Sequence, residues 1–206
     1  MDPTPNRRPL ASRSTAWAAA LTRLLLRTPL TPNAISLAGI GFAAAGAVAF
    51  LLVGQSRWLW LVGALAIQLR LLANLLDGLV AVEGGRRAPT GALFNEFPDR
   101  IEDSLLLVAA GYACGQPALG WAAALFAMGT AYARALGGSL GLGQDFSGPM
   151  AKPHRMAALT AGAVLSPLLP NLPVMAATLA LIGAGAALTG LRRLRHAARA
   201  LGEAAR

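Results

Sequence analysis

Residues 74–103 read NLLDGLVAVEGGRRAPTGALFNEFPDRIED, and this stretch decides how the rest of the chain folds. Asp77, Glu96, Asp99, Glu102 and Asp103 are five of the 9 acidic residues of the protein, and Glu83 between them is a sixth. Their surroundings are apolar: hydrophobic residues make up 55% of the chain and charged ones 13%, where a soluble domain carries about 25% charged residues. A carboxylate at the centre of a membrane helix costs about 3 kcal/mol on insertion scales. A chain that keeps such a cluster uses it. A divalent cation is the first use to consider, because it neutralises the acids and takes hard oxygen ligands.

Working outward from this stretch, six apolar segments emerge when about 20 residues are required per span. They cover residues 33–53, 58–82, 90–114, 117–140, 153–169 and 173–191. The fifth is short and contains Pro167. Ahead of them, residues 14–30 place Trp17, Leu21, Leu24 and Leu25 at helical spacing, with Arg23 and Arg27 between. This pattern suits a helix lying in the membrane interface, or else one packed on the spans. The expected protein is therefore all-α and integral to the membrane, with six transmembrane helices plus an N-terminal interfacial amphipathic helix. Residues 1–13, with Pro3, Pro5 and Pro9, read as a disordered cytosolic tail. Residues 31–194 are expected to form the six-helix transmembrane domain and residues 195–206 a basic cytosolic tail.

The chain carries 18 Lys+Arg against 9 Asp+Glu, with a pI near 11.5. So basic a chain is often a nucleic-acid binder. Here the arginines flank apolar segments, which anionic lipid headgroups and the positive-inside bias explain better, and no nucleic acid partner is expected. Arg7, Arg8, Arg13, Arg23 and Arg27 precede the first span; Arg86 and Arg87 follow the second; Lys152 and Arg155 precede the fifth; Arg192, Arg193, Arg195, Arg199 and Arg206 follow the sixth. The opposite loops hold only Arg57. Both termini and the acidic cluster are thus expected in the cytosol, in a bacterial inner membrane. Cys114 is single and reads as an apolar filler.

On a wheel of about 100° per residue, Arg70, Asn74, Asp77, Gly78 and Ala81 share one face of the second span. Asn95, Glu96, Asp99, Glu102 and Asp103 fall within an arc of about 120° on the third. The short connection between the two spans makes them antiparallel neighbours, so their oxygen ligands can converge. Gly78, Ala81 and Gly91 leave room for phosphates to approach the backbone, and Pro98 removes an N–H donor beside the acids. Two plainer readings stand next to this one. The carboxylates could pair with Arg70, Arg100 and Arg134 as interhelical salt bridges, and Glu102 and Asp103, Glu102 above all, could face cytosolic water.

The spacing resembles the signature of the CDP-alcohol phosphatidyltransferases, D-x2-D-G-x2-A-R-x8-G-x3-D-x3-D. The frame falls on Asn74, Asp77, Gly78, Ala81, Val82, Gly91, Asn95 and Asp99. All spacings are kept and five of the eight residues match; Asn74 and Asn95 replace aspartates and Val82 an arginine. The segment Thr31-Pro32-Asn33-Ala34-Ile35-Ser36 resembles the opening of the first span in this family. The resemblance implies that an alcohol hydroxyl attacks the β-phosphorus of a CDP-lipid such as CDP-diacylglycerol, releasing CMP. It implies one or two Mg2+ or Mn2+ ions between the second and third spans, held by Asp77, Asp99, Asn74 and Asn95, with Glu96 or Asp103 restoring a carboxylate. Asn33, Gly78, Ala81 and Gly91 would contact the CDP moiety, and Asp99 would be the general base. A homodimer is implied as well, with Ala109, Ala110, Gly111, Gly129 and Ala133 small enough for close helix packing.

Arg134, Lys152 and Arg155 could form an anion pocket for the acceptor, which points to a phosphorylated alcohol such as glycerol 3-phosphate. Positive-inside anchoring is the alternative for these residues. His154 and His196 read as an interfacial and a solvated residue. Two other functions compete: a pseudoenzyme that binds CDP-lipid without turnover, separated by CMP release, and a small ion transporter relaying through carboxylates, separated by ion flux in liposomes.

Overall fold

The computed structural model describes residues 15–85 and 90–204. Among them are seven helices and no strand: α1 (Ala16–Leu26), α2 (Pro32–Leu51), α3 (Leu59–Glu83), α4 (Gly91–Ala113), α5 (Pro117–Ser139), α6 (Lys152–Leu165) and α7 (Val174–Ala204). Each of the seven apolar segments read from the sequence corresponds to one helix. The tail 1–13 and the loop arginines Arg86 and Arg87 lie outside the described residues. The chain divides into two compact units, which part within α4 between Leu106 and Leu107.

In the first unit, α2 opens on a defined cap. Thr31 is extended, its hydroxyl accepts from the Ala34 N–H at 3.2 Å, and Pro32 follows where a missing N–H costs nothing. The buried positions of α2 are mostly small: Ser36, Gly39, Ala43, Gly46, Ala47 and Ala49. Between apolar helices in lipid there is little hydrophobic drive, so close backbone approach and dispersion must hold them together. A Cβ on Gly46 would stand 2.9 Å from the Ala66 Cβ and 3.0 Å from Leu106 Cδ2. Ile35, Ala73, Leu76 and Val80 form a buried cluster under Leu21, Leu25 and Phe42. Ala18 joins Leu75 and Leu79 in another.

The contacts of α1 therefore divide its apolar residues. Leu21 and Leu25 pack inward with Ala18 and Thr22, while Trp17 and Leu24 are exposed. The packed reading accounts for the first pair, and the second pair is left to face other surroundings.

In the second unit, α5 packs on α7, with Gly183 close to Ala123 and Gly190 close to the Thr130 backbone. Gly111 and Gly120 meet backbone to backbone: a Cβ on Gly111 would lie 2.7 Å from the Gly120 Cα. Two boundaries differ from expectation. The fifth segment ends as helix at Leu165, so α6 has 14 residues, about 21 Å of rise against a hydrocarbon core of about 30 Å. By contrast α7 has 31 residues and runs on through the expected tail to Ala204. Nothing between Leu191 and Leu201 breaks it, and Arg, Leu and Ala all favour helix. By length and apolarity α2, α3 and α7 are candidate membrane spans; the charges of α4 and the shortness of α6 keep those two below that standard.

Candidate functional site: a buried acid cluster on α3 and α4

Arg70, on α3, is fully buried and gathers the acids of α4. Its Nη1 donates to Glu102 Oε2 at 2.9 Å, its Nη2 pairs with Asp103 Oδ1, and Asp99 Oδ1 lies 3.6 Å from Nη1. Asn74, one turn further along α3, donates from Nδ2 to Asp99 Oδ1 and to Glu102 Oε2, the latter at 3.2 Å. An ionised carboxylate only accepts, so the amide must present its N–H face to both. Asp77, the next turn on, is buried and accepts from the Ser36 hydroxyl of α2 at 2.6 Å. Three helices of the first unit therefore converge on this cluster.

Glycine at position 39 makes the convergence possible. A Cβ there would stand 2.6 Å from Glu102 Oε1 and 3.5 Å from Asn74 Oδ1.

The ion-pair reading of Arg70 is thus realised within the site itself. The expectation that Glu102 faces water is corrected: Glu102 is 0% exposed and Asp103 3%, because both lie on the α4 face that Arg70 occupies. Glu96 lies at the other edge of the arc. Its side chain is 51% exposed and sits 3.6 Å from Arg100, which also stands 3.6 Å from Asp99 Oδ2. Gly78 is buried and Ala81 half-buried; Val82, in place of the signature arginine, is exposed. Gly91 begins α4 with open space beside it. Asn33 is half-buried in the first turn of α2. The side chain of Asn95 lies outside the described residues.

The donor set, all carboxylate and amide oxygen, is of the kind that suits a hard divalent cation. Asp77, Asp99, Glu102 and Asp103 are all buried, and Arg70 and Arg100 stand among their cationic neighbours. Among the described residues, no three His, Cys, Asp or Glu side chains stand together as a ready-made cation site; Arg70 and Asn74 draw the carboxylates toward themselves.

The residues expected to bind the acceptor lie in the second unit. Arg155 is buried, and its Nη1 donates to Met150 O at 3.0 Å and Thr130 Oγ1 at 3.3 Å. Arg193, which the sequence reading assigned only to anchoring, is buried beside it: Nη1 donates to Thr130 O at 2.7 Å and Nε to Ser147 O at 3.0 Å. Arg134 donates to Gln144 Oε1 at 2.6 Å and lies over the Phe146 ring. A cavity of about 300 Å³ is lined by Arg134, Gly137, Asp145, Arg193 and His196. Lys152, the first residue of α6, is half-buried. His196 is largely exposed, as expected, but pairs with Asp145 at 3.1 Å. Burial opposes ionisation of Asp145, yet hydrogen bonds from Ser147 and His196 and the charge of Arg193 outweigh it and hold its carboxyl below the ordinary value. Ser36, Gly39, Arg193 and Asp145 also belong to these clusters, and the sequence does not single them out for it. Ser36 lay within the quoted Thr31–Ser36 segment and was the one with a signal.

No family model matches the chain. A phosphatidylinositol phosphate synthase of Mycolicibacterium smegmatis is 31% identical over 156 residues, covering 72% of this chain and 68% of the relative. Among solved structures, the phosphatidylinositol phosphate synthase of Mycobacterium tuberculosis has a similar fold. Its complex with manganese and citrate gives a TM-score of 0.76 at 23% identity, covering 87% of this chain and 88% of that one. Its form with CDP-DAG bound gives 0.76 at 23% identity, covering 89% and 94%. Identity sustained over two thirds of a curated relative, together with the motif frame set on α3 and α4, establishes that the chain belongs to the CDP-alcohol phosphatidyltransferase family of enzymes.

Proposed function

We propose that the protein transfers a phosphatidyl group from CDP-diacylglycerol to the hydroxyl of a phosphorylated alcohol and releases CMP. The observation that carries this reading is the motif frame itself. Asp77, Gly78 and Ala81 lie on α3, and Gly91 and Asp99 on α4, around a buried cluster of acids. The relative's name and the CDP-DAG bound to the structural neighbour support the same donor and reaction class.

In this reading Asp99 accepts the proton of the acceptor hydroxyl as its oxygen attacks the β-phosphorus, and the bond from that phosphorus to the CMP oxygen breaks. Asn74 holds Asp99 in place through its amide N–H. Arg70 orients Glu102 and Asp103 as their buried ion-pair partner. Asp77, Asp99, Asn74 and Asn95, with Glu96 or Asp103, would hold Mg2+ or Mn2+, as the manganese in the structural neighbour suggests. The ion supplies charge stabilisation to the pyrophosphate and the departing CMP. Gly78, Ala81, Gly91 and Asn33 leave space and polar contact for the CDP moiety. Arg134, Lys152 and Arg155, joined by Arg193, take the acceptor's phosphate.

The proposed setting is a bacterial inner membrane crossed six times, with α1 at the interface, both termini cytosolic and two copies forming a homodimer. The length of α7 supports part of this. A helix of 31 residues rises about 46 Å, so roughly ten residues extend beyond the hydrocarbon core; those at its C-terminal end are the arginine-rich ones.

The test is purified protein with CDP-diacylglycerol, Mg2+ or Mn2+, and a panel pairing glycerol 3-phosphate and inositol phosphate with their unphosphorylated alcohols. CMP and lipid product are followed. Turnover with a phosphorylated member is expected, abolished in Asp99→Asn. No CMP with any acceptor would overturn the reading.

A further inference from the structure

The arginine-rich end of α7 walls a second cavity. About 440 Å³ in volume, it is lined by Ser147, Gly148, Arg192, Arg195, His196 and Arg199. Positions 192, 195, 196 and 199 recur at helical spacing, so one face of α7 carries all four. His196 is matched by Asp145. Arg192, Arg195 and Arg199 have no ion-pair or hydrogen-bond partner among the described residues. The opposite wall is the Ser147–Gly148 turn, which is fixed to the same helix: Arg193 Nε donates to Ser147 O, and the Met150 N–H donates to Thr189 Oγ1 at 3.0 Å. Gly148 has φ +124° and a Cβ there would collide with Thr189, so the turn lies directly on α7.

Positive-inside anchoring asks for basic residues near the membrane surface, but not for three unmatched guanidiniums around one built cavity. A guanidinium offers five donors in a planar fork that matches phosphate oxygens. The volume falls in the ordinary range for small-ligand pockets, about 300–1,000 Å³. We propose that this cavity binds a phosphate-bearing anion, either the headgroup phosphate of an anionic lipid or a soluble phosphate ester. The cavity adjoins the pocket assigned above to the acceptor, sharing His196 with it, but Arg192, Arg195 and Arg199 line this cavity alone.

The test is native mass spectrometry of the detergent-purified full chain titrated with phosphatidylglycerol, with phosphatidylcholine, and with phosphatidylglycerol in competition with inorganic phosphate. The triple variant Arg192→Gln/Arg195→Gln/Arg199→Gln should bind phosphatidylglycerol at least about tenfold more weakly, the loss expected from removing charge-assisted hydrogen bonds. The control Arg23→Gln/Arg27→Gln/Arg57→Gln should stay within about twofold of wild type. Competition by phosphate assigns the site to a soluble ester; loss in the triple variant without competition assigns it to a lipid headgroup; either supports the proposal. Equal losses in triple variant and control, or equal binding of phosphatidylcholine, would overturn it. Melting curves check that each variant folds, and Arg195→Gln alone should reproduce part of the loss if the triple variant does not fold.

Discussion

Arg70 and Glu102 are both 0% exposed and meet at 2.9 Å between α3 and α4. Removing one partner of such a pair leaves a buried charge without compensation, at about 3–5 kcal/mol. That is a large part of the roughly 5–15 kcal/mol that holds a typical domain together. Arg70→Met should therefore lower the thermal midpoint of the detergent-solubilised protein more than any surface arginine variant. Adding Glu102→Gln should recover only part of it, because Asp103 still carries its charge against the same place. Full recovery in the double variant would mean that Asp103 draws little from Arg70. Fluorescence-detected size exclusion after heating reads both outcomes.

Gly39→Ala tests the same cluster from α2. The added methyl would stand 2.6 Å from Glu102 Oε1 and 3.4 Å from its Cδ. A carboxylate at the end of a flexible chain could usually yield, but this one is tied to Arg70 and Asn74. Overpacking of this kind costs about 1–3 kcal/mol. Gly41 lies two residues on, with nothing within 4 Å of an added Cβ. There Ala should stabilise the helix by up to about 1 kcal/mol through propensity alone. Opposite shifts of the two midpoints are the expected result; matching shifts would show that propensity and not contact governs position 39.

How far the sequence could be read follows from which contacts are local. Helix positions were legible because apolar run length and Thr31, Pro32 and Pro117 punctuate the chain locally. The motif frame was legible because its residues recur at fixed offsets on two connected helices. Arg70 was visible on the right face of α3, but its choice of partner was not. A wheel gives directions about one axis, and whether Glu102 points at a neighbouring helix or at water depends on how that neighbour is rotated. The Ser36–Asp77 bond joins residues 41 apart and leaves no periodic trace. The end of α7 was misread for another reason: a run of arginines marks the edge of the hydrocarbon core, and a helix need not stop there.

Asn74→Asp would restore the signature carboxylate, and its effect should depend on metal. Asn74 now donates to Asp99 and Glu102. An aspartate cannot donate, and it would bring a further negative charge to buried acids. Without a divalent ion the variant should melt well below wild type, since like charges in a buried place repel strongly. With Mn2+ or Mg2+ it should regain more stability than wild type does, because the added carboxylate strengthens a hard-cation site. Melting curves in EDTA and in millimolar metal separate these. An equal metal response in both proteins would remove position 74 from the metal ligands.

Asp145 supplies a pH-dependent contribution in the second unit. Its folded carboxyl sits below the ordinary value of 3.8, since hydrogen bonds from Ser147 and His196 and the Arg193 charge outweigh burial. A depressed carboxylate contributes stability that is present above the unfolded value and lost as pH falls through the folded one. The contribution should therefore be complete at neutral pH and disappear at pH values below about 4. The Asp145 side chain is partly exposed, so the effect is modest and weakens with salt. Asp145→Asn keeps an acceptor for the Ser147 N–H, at 2.8 Å in the wild type, but loses the charge. Its midpoint should lie below wild type at pH 6, with the gap closing toward pH 3. A gap that stays constant over that range would show that the carboxylate's charge plays no part, and that the loop 140–151 is held by its buried arginines Arg155 and Arg193 instead.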